Sequence, residues 1–148
     1  MAEATLVTLP DSPVKDVADL AGKKVAITSP KGVSEMLLLM VLKEKGVDAA
    51  QVQRVASGGY VNGLTMLEQN AVAGAVLIEP LSIVRKDKYR TVYNAGAVLQ
   101  PMTTSVGITT RAFAKEHPEK LRAIIEGRQA GVRATYRDPA AAAKLLET

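Results

Sequence analysis

Three short apolar segments, Lys24 to Thr28, Val52 to Ala56 and Ala75 to Ile78, are separated by two stretches patterned as helices. That alternation constrains the fold more than any other feature. Strand, helix, strand, helix, strand is the order that produces parallel strands joined by right-handed crossovers. Ala75 to Ile78 is apolar throughout, as a strand covered on both faces must be, and Pro80 ends it. The expected fold class is α/β: three layers, with a mostly parallel sheet flanked by helices.

The helices are marked by their ends as well as by their periodicity. Ser34 to Lys45 is rich in Leu and Met and stops at Gly46, where a residue without a Cβ can take the left-handed conformation. Ser34 stands where a cap belongs, and Gly32 lets the backbone before it bend or approach another group closely. The segment from Tyr60 to about Asn70 sets Val61, Leu64, Met66 and Leu67 along an apolar stripe. Upstream, Val14, Val17 and Leu20 line a short helical turn ending at Gly22. Downstream the pattern predicts a short helix from Leu81 to Lys86, a strand from Arg90 to Tyr93, and a further strand in TTSVGITT, where Val106 and Ile108 alternate with small residues. A longer helix opens at Pro118, carries Leu121, Ile124, Ile125, Val132 and Tyr136, and stops at Asp138-Pro139, which in turn starts a last helix. No internal repeat or low-complexity linker interrupts the chain.

The 148 residues, 47% of them hydrophobic, are enough for one domain with a core. Met36 to Leu42, the longest aliphatic run, falls far short of the roughly 20 residues that cross a bilayer. MAEATLVTLPDSP lacks the basic start and apolar stretch of a secretory leader, so no signal peptide is expected in this chain. The absence of cysteine excludes disulfides, thiolate catalysis and cysteine-based zinc sites. A net charge of +4 comes from scattered Lys and Arg, and four Tyr and one Phe make a poor stacking platform for bases. No nucleic-acid partner is expected.

Chemistry concentrates where the strands end. In an open parallel sheet, ligands bind beyond the carboxyl ends of the strands, and helix N-termini there favour anions. After the first parallel strand, Ser29, Lys31, Gly32 and Ser34 offer backbone N–H groups, a hydroxyl and an ammonium to an oxyanion such as sulfonate or carboxylate; the plainer reading is a capped helix beside a turn lysine. After the second, Gly58 and Gly59 let backbone approach a bound molecule and Tyr60 supplies an aromatic wall or a hydroxyl, unless this is an ordinary loop. Glu79 ends the third strand at the same edge. Pointing inward it suits an ammonium or amidine and repels a bare dianion; otherwise it pairs with a surface cation. The G-x-G-x-x-G and P-loop spacings are both absent. His117, the only histidine, has no second His or Cys to complete a metal site and is read as a capping or surface residue. Arg122, Arg128, Arg133 and Arg137 keep no steady helical spacing and form a solvated face.

Taken in order, SPVKDVADLAGKKVAI, GVSEMLLLMVLKEKGVDAAQVQRV, AVAGAVLIEP, VGITTRAFAKEHPEKLRAIIEG and YRDPAAAAKLL resemble the periplasmic substrate-binding proteins of ABC importers for nitrate, sulfonates and taurine, with the related thiamine-precursor binders. The resemblance implies a type II periplasmic binding protein-like lobe. Residues 1–110 would be the second ligand-binding lobe of a two-lobe binder, and residues 111–148 would be C-terminal helices packing on the first lobe. It also implies noncovalent capture of a small anionic or zwitterionic solute, an ABC permease as partner, no cofactor and a periplasmic location for the full-length relative. Without a first lobe, the C-terminal helices would self-associate through their exposed apolar faces.

Two other classes compete. Related thiamine-precursor synthases share the fold, but an enzyme would need a reactive His or Lys, iron ligands or a cysteine-rich segment. A ligand-sensing domain of a bacterial regulator would carry a helix-turn-helix or linker before the lobe.

Overall fold

Five strands form one sheet: β1 (Ala4–Thr8), β2 (Lys24–Ile27), β3 (Gln53–Ala56), β4 (Gly74–Ile78) and β5 (Arg90–Asn94), in the order β3-β2-β4-β1-β5. The computed structural model describes residues 4–100 and 106–145. β2 pairs in parallel with β3 on one side and β4 on the other. β1 is antiparallel to both of its neighbours, so four strands run one way and one runs back. The sheet is therefore mixed: the β3-β2-β4 half is parallel, as the alternation requires, and the two pairings of β1 are antiparallel.

Helix α1 (Val33–Glu44) connects β2 to β3, and α2 (Tyr60–Glu68) connects β3 to β4. Because β3 and β4 flank β2 on opposite sides, crossovers of one hand must place α1 and α2 on opposite faces of the sheet. The core is divided accordingly. Leu37, Leu38, Val41 and Leu42 of α1 pack on Leu6, Val25, Ile27, Val76 and Tyr93. Leu64 and Leu67 of α2 pack on Val7, Ala26, Ala75 and Leu77. Successive strand residues thus serve opposite helices, as the pleat dictates, and the result is three layers. Short helices α3 (Leu81–Val84) and α4 (Ala95–Val98) follow β4 and β5.

The chain divides after residue 105 into two units. In the second, α5 (Arg111–Glu116), α6 (Pro118–Arg137) and α7 (Pro139–Lys144) succeed one another. Their ends are set locally: Thr110 Oγ1 accepts from Phe113 N at 3.1 Å, Pro118 occupies the first turn of α6, and Asp138 Oδ1 accepts from Ala141 N at 2.9 Å. Neither α5 nor α6 buries a side chain.

Two expectations need correction. Ser34 does not cap α1. Gly32 holds that position, and Ser34 lies inside the first turn with its side chain fully buried. The strand expected in TTSVGITT is absent over residues 106–110, which have no regular structure and are exposed; residues 103–105 lie outside the described residues. Alternation specifies a strand only where an edge supplies hydrogen bonds, and among the described residues no strand pairs with this segment. His117 stands at the N-cap position of α6 with its side chain 39% exposed, within the capping-or-surface reading; it makes no side-chain capping bond, and its ring meets Phe113 edge-on at 5.1 Å. β1, α4 and α5 are additions that the sequence pattern did not reveal.

Candidate functional site at the carboxyl rim of the sheet

Since β2, β3 and β4 run in one direction, the loops that follow them leave the same edge. The first two loops are stitched together. Ser57 N donates to Ile27 O at 2.8 Å and Gly58 N to Thr28 O at 2.9 Å. Ser57 Oγ lies 2.9 Å from Ile27 O and 2.8 Å from Gly59 O, so its single proton is shared between two carbonyls. Asn62 Nδ2 adds a bond to Ser57 O at 3.1 Å. Gly58, at φ 76, turns the chain in the left-handed region open to glycine.

Both helices of this rim begin on glycine, α1 on Gly32 and α2 on Gly59, and neither start has a side-chain cap. The first-turn N–H groups, of Val33, Ser34 and Glu35 in one helix and of Tyr60, Val61 and Asn62 in the other, have no acceptor within their helices. Gly32 also comes close to its own turn. A Cβ there would lie 2.6 Å from Ser29 Oγ, which would have to rotate away, and 3.1 Å from Ser29 O, a tight contact.

Each residue singled out in the sequence has a defined place. Ser29 and Lys31 are exposed and Gly32 is half-buried. Ser34 Oγ is turned to the sheet, accepting from Thr28 N at 2.9 Å and sharing a proton with Thr28 Oγ1 at 2.8 Å. Gly58 is exposed and Gly59 half-buried. Tyr60 is half-buried and packs on the α2 side of the core; burial raises its phenol above the usual range. Glu79 is half-buried at the end of β4. Fold topology brings these residues to one edge, although Ser34 contributes its backbone rather than a free hydroxyl.

Sequence reasoning missed the residues that fix this edge: Thr28, Ser57, Asn62, Glu35 and Arg54. Glu35 was detectable, since an acidic residue three positions after a helix start commonly reaches back to the preceding backbone. Here Glu35 Oε2 accepts from Lys31 N at 2.6 Å and Oε1 from Arg54 Nε at 2.8 Å. The Lys31 N–H, and after it the Arg54 guanidinium, holds the carboxyl below the ordinary Glu value. A shallow depression of about 480 Å³ starts at Lys31 and Gly32 and follows Met36, Leu39, Met40 and Lys43 along α1. A separate cavity of about 410 Å³, between Leu9, Lys23 and Val72, opens at the opposite edge, away from the helix starts. Among the described residues no group of three or more His, Cys, Asp or Glu could hold a metal ion, and no helix is long and apolar enough to cross a membrane.

A mixed sheet of this order, flanked by helices on both faces, is consistent with the fold of a type II periplasmic binding protein lobe. The periplasmic aliphatic sulphonate-binding protein SsuA from Escherichia coli superposes with a TM-score of 0.81 at 20% identity, over 98% of this chain and 51% of that one. The alkanesulfonate-binding protein SsuA from Xanthomonas axonopodis pv. citri, bound to MOPS, gives 0.73 at 18% identity, over 95% and 48%. An ancestral arginine-binding protein bound to arginine gives 0.57 at 22% identity, over 88% and 55%. The chain therefore spans about half the length of these structures. Among curated protein sequences none matches significantly. Residues 2–142 match the NMT1/THI5 like family, and the chain belongs to it.

Proposed function

We propose that this chain forms one half of a two-lobe binder that captures a small anionic or zwitterionic solute, of the sulfonate, taurine or nitrate class, for ABC-type import. The observation that carries the reading is the pair of glycine-started, side-chain-uncapped helices, tied together at one rim. Two helix starts at one rim present N–H donors without side-chain caps and partial positive charge, which suit an oxyanion. The sulfonates named for two structural relatives support that chemistry.

Capture involves no covalent step in this reading. The partner is a membrane permease and the setting is the periplasm. The helices of residues 106–145 belong with the other lobe: Ile124, Ile125, Val132 and Tyr136 are 63%, 49%, 47% and 83% exposed, a stripe that calls for cover. In isolation this stripe drives self-association, which sedimentation would register.

Glu79 favours a second reading. A carboxylate on the rim suits a ligand with an ammonium or amidine, and so a taurine-like zwitterion or the aminopyrimidine of a thiamine precursor over nitrate. Calorimetry of the chain against methanesulfonate, taurine, nitrate and an aminopyrimidine separates these. Heat with methanesulfonate, taurine or nitrate supports the proposal, heat with the pyrimidine alone supports the thiamine-precursor reading, and silence with all four refutes both.

A further inference from the structure

Lys31 has a left-handed backbone, with φ of 60. A residue with a side chain keeps that conformation only where its surroundings enforce it. Here the enforcement comes from Glu35, one turn into α1. One carboxylate oxygen accepts from Lys31 N and the other from Arg54 Nε. Arg54 belongs to β3, and its Nη1 donates to Ala49 O at 2.8 Å and to Val52 O at 3.2 Å, so the guanidinium is itself anchored on the approach to that strand. The Glu35 side chain is only 16% exposed. A single carboxylate thus links the turn before α1 to the neighbouring strand.

We infer that Glu35 is a positioning residue for the rim: it holds residues 29–32 so that the amides opening α1 stand beside those opening α2, without touching the solute. The inference rests on the rim being the solute site. Pairing with Arg54 also neutralises a carboxylate that would otherwise repel an anion at the same helix start.

Glu35→Gln in the whole chain tests this. The amide oxygen can still accept one bond, but its NH2 faces Arg54. Amide exchange at Lys31 and Gly32 should quicken, while the thermal midpoint falls no further than acid protonation of Glu35 lowers it in the parent. Methanesulfonate affinity should fall roughly threefold, near the low end of couplings within one hydrogen-bonded network. Lys31→Gly supplies a second arm, because glycine adopts the left-handed backbone freely; in that background the Glu35→Gln effect should shrink. In the parent, the Lys31 amide resonance should follow a carboxyl titrating below 4.5, with Lys31 and Arg54 the charged groups facing it, and Glu35→Gln should abolish that titration.

Unchanged exchange at Lys31 in Glu35→Gln overturns the inference. So does faster exchange with methanesulfonate affinity intact, a result that leaves the rim reading standing. A parent that binds no methanesulfonate removes the rim reading and the positioning role together.

Discussion

Helices α1 and α6 both carry apolar stripes, yet they end in opposite environments. α1 has 12 residues and buries Ser34, Leu37, Leu38, Val41 and Leu42, whereas α6 has 20 and buries none. Both start and stop where local signals place them. Periodicity therefore specifies a face that needs cover, and the rest of the sequence decides whether cover is at hand. For α1 it is the sheet that the same 100 residues build. For α6, cover within its own unit is limited to short neighbours, and the stripe stays open.

The sharpest way to break the contrast is to cut both helices. Leu42→Ala, at a site with no exposed surface, should cost about 2–5 kcal/mol in urea unfolding followed by circular dichroism. Ser34→Ala should come next, at about 1–3 kcal/mol, because it leaves the Thr28 N–H and hydroxyl without their partner inside the fold. Acid should also weaken the first unit. Glu35 is held below the ordinary 4.5 by the Lys31 N–H and then Arg54, and Glu68 by bonds from Lys88 and then Tyr89. Depressed folded-state values mean that this stability is complete above 4.5 and is lost as pH falls through the folded values, which a pH series of melts would trace.

Alkali acts at Tyr89, whose hydroxyl is pushed up to about 12 by burial and then by its bond to Glu68. Its contribution is whole below 10 and disappears as pH rises from 10 through 12, visible in ultraviolet titration. Ile125→Ala, on the open stripe of α6, should change stability least, by less than about 0.5 kcal/mol. A cost for Ile125→Ala approaching that of Leu42→Ala would erase the contrast between the two regions.

β2, α1, β3, α2 and β4 were legible within a residue or two, because their signals are local: apolar runs, Leu-rich stretches and glycine stops. β1 was not. All five of its residues are buried on both faces, two of them are Thr, and its pairing partners lie some 70 to 90 positions away. The TTSVGITT pattern erred in the other direction, reading alternation as a strand where no edge receives it. At the rim, chain order alone brought residues 32, 59 and 79 together once the three strands were parallel. What stayed hidden was orientation. Ser34 turns inward because Thr28 stands within reach, and Glu35 turns back because Arg54, 19 residues away, meets it. Such pairings depend on which strands are neighbours, and a linear pattern does not state that.

The most direct test of the solute site is an amide shift map of the intact chain titrated with methanesulfonate. Gly32, Val33 and Ser34 should move together with Gly59, Tyr60 and Val61 while the amides of α6 stay still. Shifts gathered around Lys23 and Val72 at the opposite edge, or along α6, would contradict the account.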